Sequence, residues 1–261
     1  MTWLVLDGAV NVRDLGGLPA GDGRPAGDEQ QVAAGRLLRG DDLTALSPAD
    51  VTMLVSQIGL TTVIDLRSPA EVRASGPGPL TRTGLVRHVH HSLLPELGMT
   101  AAADAMAVRI DRASARYPGD VRCGLYLGYL AERPAHVVAA LRDIAQASGP
   151  VLVHCAAGKD RTGVVVALAL SLAGVRRDAV IADYAATAER IIPLLARMRG
   201  SQTYAAGLGG QPDSEHVPRA ETMAAFLDQV DARYGGVRPF LSGHGLAATD
   251  AAALRSRLLD A

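Results

Sequence analysis

The stretch VLVHCAAGKDRTG, residues 151–163, together with the apolar residues after it, constrains the fold more than any other part of the sequence. Gly149 and Pro150 interrupt a helical pattern, and the run VLV that follows is typical of a central strand buried on both faces. Residues 163–175 form an uncharged apolar run of 13 residues, too short to span a bilayer, and predict a buried helix. A strand, a loop of small residues and a buried helix in this order predict an α/β fold.

Other segments extend this architecture. Ser47, Pro48 and Asp50 predict a helix start, with the serine as N-cap and the proline in the first turn. Residues 16–30, rich in glycine, proline and aspartate, predict a surface loop or hairpin connection. The predicted strands are 3–6, 36–39, 61–65, 86–90 and 151–153, and the predicted helices include 47–58, 101–117, 162–172 and one that begins at Pro134. The expected fold is α/β, with a short, mostly parallel central sheet flanked by helices.

The charge balance excludes several classes of function. The chain of 261 residues carries 26 basic and 27 acidic residues, which offers no general attraction for nucleic acid or an anionic membrane. Two cysteines cannot form a disulfide framework, so a reducing compartment is the simple interpretation. The N-terminus lacks the basic start of a signal peptide, and no integral membrane segment is predicted. These features predict a cytoplasmic protein, although leaderless export would leave no trace in the sequence.

The residues that carry chemistry lie in the Cys155 loop, which we define as residues 155–161. The strand before it would deliver Cys155 to the carboxyl edge of the sheet, where open α/β folds bind ligands. The helix after it aims its free N–H groups and positive dipole end at the loop, and small residues let successive amides converge into an anion site. Arg161 can hold two phosphate oxygens in a planar fork, above a cysteine thiolate placed for in-line attack on phosphorus. The expected phosphate-binding residues are Ala156, Ala157, Gly158, Lys159, Asp160 and Arg161.

Two residues beside the loop have expected supporting roles. Thr162 can donate its hydroxyl to the sulfur, which would help Cys155 to leave in a second chemical step. His154 is expected to orient the loop through backbone hydrogen bonds rather than to act as a base. A lone cysteine is more often a buried core residue, but here each neighbouring position has a separate physical task.

The segment HCAAGKDRTG resembles the Cys-x5-Arg signature of the protein tyrosine phosphatase superfamily. Its Lys-Asp pair is similar to the loop of atypical bacterial tyrosine and lipid phosphatases of the PtpB type. Other similar motifs are NVRDLGG at 11–17, LRGD at 38–41, IDLRS at 64–68 with Glu71, DY at 183–184 and GLAATDAAALRSRLL at 245–259. The resemblance implies one phosphatase domain over 1–261 with a tyrosine-phosphatase-like fold. Such families can cover the site with helical lids, and the candidate lid segments are 95–120 and 188–218.

The resemblance also implies roles for several charged residues. Asp160 is expected to be the general acid that protonates the leaving group, although its cationic neighbours should depress its pKa and only the bound phosphate would oppose them. Asp65, at the end of a predicted strand, is the alternative acid, or else a structural partner of Arg13 or Arg67. Arg13, Asp14 and Arg67 are expected to support the site or the fold rather than to catalyse.

The predicted function is hydrolysis of phosphate monoesters through a cysteine nucleophile and a phosphocysteine intermediate. Phosphotyrosine in proteins is the first expected substrate. Lys159 adds a positive charge, and the resemblance implies that a lysine at this position goes with tolerance of phosphoinositide headgroups as well. The alternatives are an inositol phosphate phosphatase and a catalytically weak module that binds phosphorylated ligands. The expected partners are a phosphorylated protein or lipid, with inorganic phosphate or another oxyanion in the loop. No cofactor or metal is expected, because no acidic or cysteine ligands at suitable spacing accompany His88, His90 and His91.

Overall fold

One six-stranded sheet forms the frame of the described part of the chain. The computed structural model describes residues 1–21, 30–95, 102–208 and 212–259. The strands are β1 (Thr2–Trp3), β2 (Arg13–Asp14), β3 (Leu37–Gly40), β4 (Thr62–Asp65), β5 (Arg87–His90) and β6 (Val151–His154). Their order across the sheet is β1-β2-β3-β6-β4-β5. The first three strands pair antiparallel, whereas β3, β6, β4 and β5 run parallel, which confirms the predicted mostly parallel sheet.

Strand β6 lies between β3 and β4, and its register decides where the Cys155 loop begins. His154, the last residue of β6, is level with Gly40 on one side and Asp65 on the other. The carboxyl ends of three parallel strands therefore meet at one edge of the sheet. The loop residues that follow each strand are brought together there, as expected for ligand sites in open α/β folds.

Helices cover both faces of this sheet. A π-helical segment (Met53–Gln57) continues the first helix, so the predicted helix over 47–58 is present. The helices are α1 (Pro48–Thr52), α2 (Pro69–Ser75), α3 (Ala102–Arg116), α4 (Val121–Glu132), α5 (Pro134–Gln146), α6 (Asp160–Ala173), α7 (Arg177–Ala186), α8 (Ile191–Gly200), α9 (Ala220–Tyr234), α10 (Val237–Gly243) and α11 (Ala248–Leu258). The helix predicted after the Cys155 loop is thus α6, which begins two residues earlier than expected.

The two faces of the sheet bury separate hydrophobic cores, because side chains alternate along a strand. Val151 and Val153 of β6 pack into the larger core with α4, α5 and α6, whereas Leu152 packs into the smaller core with α1. All three side chains are fully buried. The short apolar run VLV is therefore a central strand, as predicted, and it anchors the start of the Cys155 loop on both sides.

Local hydrogen bonds explain where the predicted elements begin and end. Ser47 and Asp50 form a reciprocal capping box at the start of α1, which confirms the predicted helix start. Strand β1 ends at Trp3, earlier than the predicted 3–6. Farther along the chain, the Asp50 carboxylate accepts from the N–H groups of Asp7 and Gly8, so one carboxylate both caps α1 and fixes the segment after β1.

The candidate lid segments contain helix α3 and, in the second segment, helix α8 with the short helical turn Asp213–His216. Residues 96–101 and 209–211 of these segments lie outside the described residues, as do residues 22–29 of the predicted surface loop. Movement of the segments as a lid stays a prediction. No helix in the described residues is long and apolar enough to cross a membrane.

Candidate active site

The Cys155 loop connects the end of β6 to the start of α6 through a left-handed turn. Gly158 has a φ of +64°, and a Cβ at this position would lie 2.4 Å from the carbonyl oxygen of Gly40. Only glycine fits this backbone, so the loop curls tightly against the end of β3. Lys159 is the N-cap residue of α6, and the N-terminal end of that helix faces the loop. The positive end of the helix dipole therefore points at the residues after Cys155.

The surrounding structure binds three successive carbonyl groups of the loop from outside. The bonds run from the N–H of Asp42 to Ala156 O (3.0 Å), from Nδ2 of Asn11 to Ala157 O (2.8 Å), and from Nη2 of Arg39 to Gly158 O (2.7 Å). The same Nη2 of Arg39 also lies 3.4 Å from the Lys159 carbonyl oxygen. In a trans peptide the C=O and the following N–H point in opposite directions. The N–H groups of residues 157–159 therefore point away from these donors, as an anion-binding loop requires.

Arg161 is held in place by a two-point ion pair with Glu71 of α2. The Nη1 and Nη2 atoms of Arg161 lie 2.6 and 2.8 Å from the two carboxylate oxygens. Burial acts to raise the pKa of Glu71, but the charge of Arg161 and its hydrogen bonds outweigh burial and hold that pKa at about 2. The carboxylate is thus ionised throughout the neutral range, and the guanidinium is fixed in one orientation beside Cys155.

Asp160, the first residue of α6, is bound by a tyrosine pair. The Tyr126 hydroxyl donates to Oδ1 of Asp160 at 2.5 Å and lies 2.7 Å from the Tyr184 hydroxyl. The Lys159 ammonium lies 3.6 Å from Oδ2 of Asp160. Burial acts to raise the pKa of Asp160, yet Lys159, Arg122 and the Tyr126 hydrogen bond lower it below its usual range. These contacts therefore hold Asp160 as a carboxylate.

Asp65 is bound by Arg67, one of the two structural partners expected for it. The Nε and Nη2 atoms of Arg67 contact Asp65 at 2.7–3.0 Å, and His154 Nε2 lies 3.7 Å away. Burial acts to raise the pKa of Asp65, but His154 and Arg67 hold it well below its usual range. Arg67 also binds Asp42, whose carboxylate accepts from the hydroxyl of Tyr204. These contacts tie the ends of β3 and β4 together beside the Cys155 loop.

Arg13 reaches the loop through an ion pair, and Asp14 stabilises the chain around β2. Asp183 of α7 binds both Arg13 and Arg39, and Arg39 in turn holds the loop carbonyls. The Asp14 carboxylate accepts from the N–H groups of residues 16 and 35. Both contacts agree with the expected supporting roles, and neither side chain is brought to the Cys155 sulfur by these bonds.

The two residues that flank the loop, His154 and Thr162, differ in whether the structure shows the contact expected for them. His154 Nδ1 lies 3.3 Å from the carbonyl oxygen of Cys155, a backbone contact of the kind expected. The hydroxyl of Thr162 is buried and has no hydrogen-bond partner among the described residues. Its expected donation to the Cys155 sulfur, which belongs to the second chemical step, stays a prediction.

Sequence reasoning missed several residues that shape the site. Glu71 did carry a signal, since it stands three residues after Ser68 in a capping box at the start of α2. That pattern predicts a helix start but not the second bond to Arg161. Tyr126 lies 34 residues from Asp160 in a helix of ordinary composition, so no local pattern could indicate its bond to Asp160.

Comparison with known proteins agrees with this geometry. A sequence model described as the tyrosine phosphatase family matches residues 4–260. The chain is 30% identical to the triple specificity protein phosphatase PtpB of Mycobacterium tuberculosis, over 97% of this chain and 98% of that protein. It is 29% identical to a tyrosine-protein phosphatase of Nostoc commune, over 90% of this chain and 78% of that protein. The chain therefore belongs to the tyrosine phosphatase family and is an enzyme that hydrolyses phosphoric monoesters.

Proposed function

We propose that the protein hydrolyses phosphate monoesters through a phosphocysteine intermediate at Cys155, acting first on phosphotyrosine in proteins. One observation carries the proposal: three loop carbonyls are bound from outside while Glu71 fixes Arg161 beside the same loop. Amides that point inward and a fixed guanidinium together make a site for a tetrahedral dianion. The residues work as one catalytic domain over 1–261.

The proposed reaction has two steps that share one phosphate position. In the first step the Cys155 sulfur attacks phosphorus, an S–P bond forms, and the ester P–O bond breaks as the leaving oxygen takes a proton from Asp160. In the second step water attacks phosphorus and gives a proton back to Asp160, and the S–P bond breaks to release phosphate. Arg161 and the loop amides stabilise the equatorial oxygens in both steps.

Asp160 remains the first choice for the acid and Asp65 the second. The Asp160 carboxyl has its pKa lowered in the unliganded site, but a phosphate dianion bound beside it adds a negative charge that raises this pKa. Asp65 already accepts three hydrogen bonds from the Arg67 side chain, which hold it as an ion. Since it would have to break these bonds to donate a proton, Asp65 is the weaker candidate.

Lys159 supports a wider substrate range than phosphotyrosine alone. Its ammonium is buried beside Asp160 and donates to the carbonyl oxygen of His216 at 2.8 Å. The relative from Mycobacterium tuberculosis is named a triple specificity phosphatase, which agrees with dual-specificity or phosphoinositide activity here. Hydrolysis of soluble inositol phosphates is the second candidate function, because the same charge would bind a further phosphate on a polyol ring.

We infer that the candidate lid segments move when a substrate enters. Cys155 is 2% exposed and Arg161 9% exposed, so both lie below the surface that a protein-bound phosphate would approach. The Arg122 guanidinium donates to the carbonyl oxygens of residues 215–217, and the Lys159 ammonium donates to that of His216. These bonds hold part of the second candidate lid segment beside the site. Opening of residues 188–218, with or without 95–120, is the proposed route of entry.

Substitution of the nucleophile tests the proposal. We expect Cys155→Ser to abolish turnover of p-nitrophenyl phosphate while vanadate or phosphate still binds, as measured by calorimetry. The matched control is Cys123→Ala, which removes the other cysteine, buried in α4, and should retain turnover. Undiminished hydrolysis by Cys155→Ser would reject the mechanism.

A substrate panel then separates the candidate functions. Phosphotyrosine peptide, phosphoserine peptide, phosphoinositide vesicles and inositol hexakisphosphate are compared by kcat/KM. A preference for the peptide with phosphotyrosine supports the first function, and a preference for soluble inositol phosphate supports the second. Binding of all these ligands without any phosphate release would instead favour a catalytically weak binding module.

A further inference from the structure

A small cleft between α3 and α4 carries more positive charge than the proposed reaction uses. It opens to solvent, and the space inside is about 20 Å³, which is room for about one water-sized group. One oxygen of an anion can occupy this space while the rest of the anion lies at the open mouth. Its charged and polar lining residues are Arg109, Arg112, Arg116, Tyr129 and Glu132.

Two of the three arginines of the cleft have no ion pair with a carboxylate of the described residues. Arg116 pairs with Glu132 at 3.2 Å, which leaves Arg109 and Arg112 as an excess of two positive charges in the lining. Arg109 donates from Nη2 to the carbonyl oxygen of Pro95, and its Nε is buried without a hydrogen-bond partner in the described part of the chain. A buried N–H without a partner costs free energy, and an anion in the cleft would supply the missing acceptor.

Tyr129 places this cleft next to the Cys155 loop. Its ring stacks on Tyr126 at 6.0 Å between centroids, and the Tyr126 hydroxyl binds Asp160 of the loop. Burial and the charges of Asp160 and Cys155 raise the pKa of Tyr129, while Arg161 and Arg109 lower it, so groups of the loop and of the cleft both lie near this hydroxyl. The net shift keeps Tyr129 neutral, and a neutral phenol can donate to an anion.

We propose that the cleft binds a second phosphate group of the same small substrate whose first phosphate occupies the Cys155 loop. The inference rests on the proposed function, because it assumes a phosphate in the loop. Two unneutralised guanidinium groups and a phenol match the charge and the several oxygens of a phosphate better than a carboxylate, which one guanidinium would satisfy. Because the two sites share the Tyr126–Tyr129 wall, both phosphates should lie on one compact scaffold rather than far apart along a peptide.

Matched aryl phosphates test this inference. The substrates are phenyl phosphate and the three isomers of phenylene bisphosphate, and the measured quantity is kcat/KM for each bisphosphate divided by that for phenyl phosphate. We expect Arg112→Ala to lower this ratio about tenfold or more for at least one isomer, the size expected for loss of a hydrogen bond between charged groups. Arg112 is exposed, so the variant should fold. The control is Arg238→Ala, an exposed arginine of α10, which should leave the ratio unchanged.

A binding measurement keeps this inference separate from the proposed function. In the Cys155→Ser protein, calorimetry with each of the three bisphosphates should give, for at least one isomer, a dissociation constant about tenfold higher, or more, when Arg112→Ala is added. If wild-type protein hydrolyses none of the aryl phosphates, the proposed function fails, while this binding difference still supports or overturns the cleft. An unchanged ratio together with unchanged binding would overturn the inference. So would an effect of Arg112→Ala seen only with doubly phosphorylated peptides, which would assign the cleft to peptide recognition.

Discussion

Two ionic networks contact the Cys155 loop, and they differ in how far they are exposed to solvent. In the first, Asp183 binds Arg13 at 2.8 Å and Arg39 at 2.5 Å, with all three side chains at most 1% exposed. In the second, Glu71 binds Arg161, and these side chains are 17% and 11% exposed. The first network is sealed inside the protein, whereas the second is partly open to solvent.

This difference separates a structural task from a chemical one. The Asp183 network is fully buried and uses Arg39 to hold loop carbonyls, so it stabilises the shape of the loop. The Glu71 pair orients a guanidinium that a phosphate can also bind. Breaking the first network should therefore appear mainly as lost stability, and breaking the second mainly as lost catalysis.

The largest expected effect comes from the sealed network. Asp183→Asn leaves two buried arginines without a counter-charge, and removing one partner of a buried pair typically costs about 3–5 kcal/mol. We expect this loss in the free energy of unfolding measured by urea denaturation at pH 7. The control is Asp228→Asn, which breaks an exposed pair with Arg177 and should cost less than about 1 kcal/mol. Equal losses in the two variants would contradict the distinction between the networks.

A smaller effect on stability but a clear effect on turnover is expected for Glu71→Gln. Without the two-point ion pair Arg161 is free to change rotamer, and we expect kcat/KM for p-nitrophenyl phosphate to fall about tenfold to a hundredfold. Ser68→Ala is the matched control, because it removes the other half of the capping box and leaves the Arg161 contact intact. It should cost about 1 kcal/mol of stability with little change in kcat/KM. If both variants lost activity equally, helix capping rather than the ion pair would be responsible.

The smallest expected effect is a shift in pH dependence from Tyr126→Phe. The Tyr126 hydroxyl lowers the pKa of Asp160, so removing it raises that pKa. An acid with a raised pKa stays protonated to a higher pH, and the alkaline limb of the kcat profile should move up by roughly half to one pH unit. Tyr184→Phe keeps the bond from Tyr126 to Asp160 and should shift the limb less. Superimposable profiles for wild type and Tyr126→Phe would count against Asp160 as the acid.

The local parts of the site could be predicted from sequence because short patterns encode them. The run VLV predicts a buried strand, and Gly158 inside a loop of small residues predicts a tight turn, which the structure gives with φ +64°. The helix after the loop follows from its uncharged apolar run. Each of these depends on neighbours within a few residues, so spacing and side-chain type were sufficient.

The contacts between distant segments could not be predicted in this way. Glu71 is 90 residues from Arg161, and Asp183 is 170 residues from Arg13, so only the sheet register and the helix packing bring them together. The direction of a hydroxyl also depends on packing that no motif specifies, and the Thr162 hydroxyl is buried without a hydrogen-bond partner among the described residues. Resemblance supplied candidates such as Asp160, but the tyrosine that binds it came from the structure.

The Glu71 carboxylate couples the first turn of α2 to the orientation of Arg161. Its carboxylate accepts from the backbone N–H of Ser68 at 2.7 Å while it binds Arg161. If the first turn of α2 frays, Arg161 therefore loses the carboxylate that orients it. Conversely, an oxyanion bound to Arg161 should stabilise that turn. Amide hydrogen exchange in this turn should slow when vanadate is bound. The exchange rate of a short surface helix would thus report whether an anion is bound in the Cys155 loop.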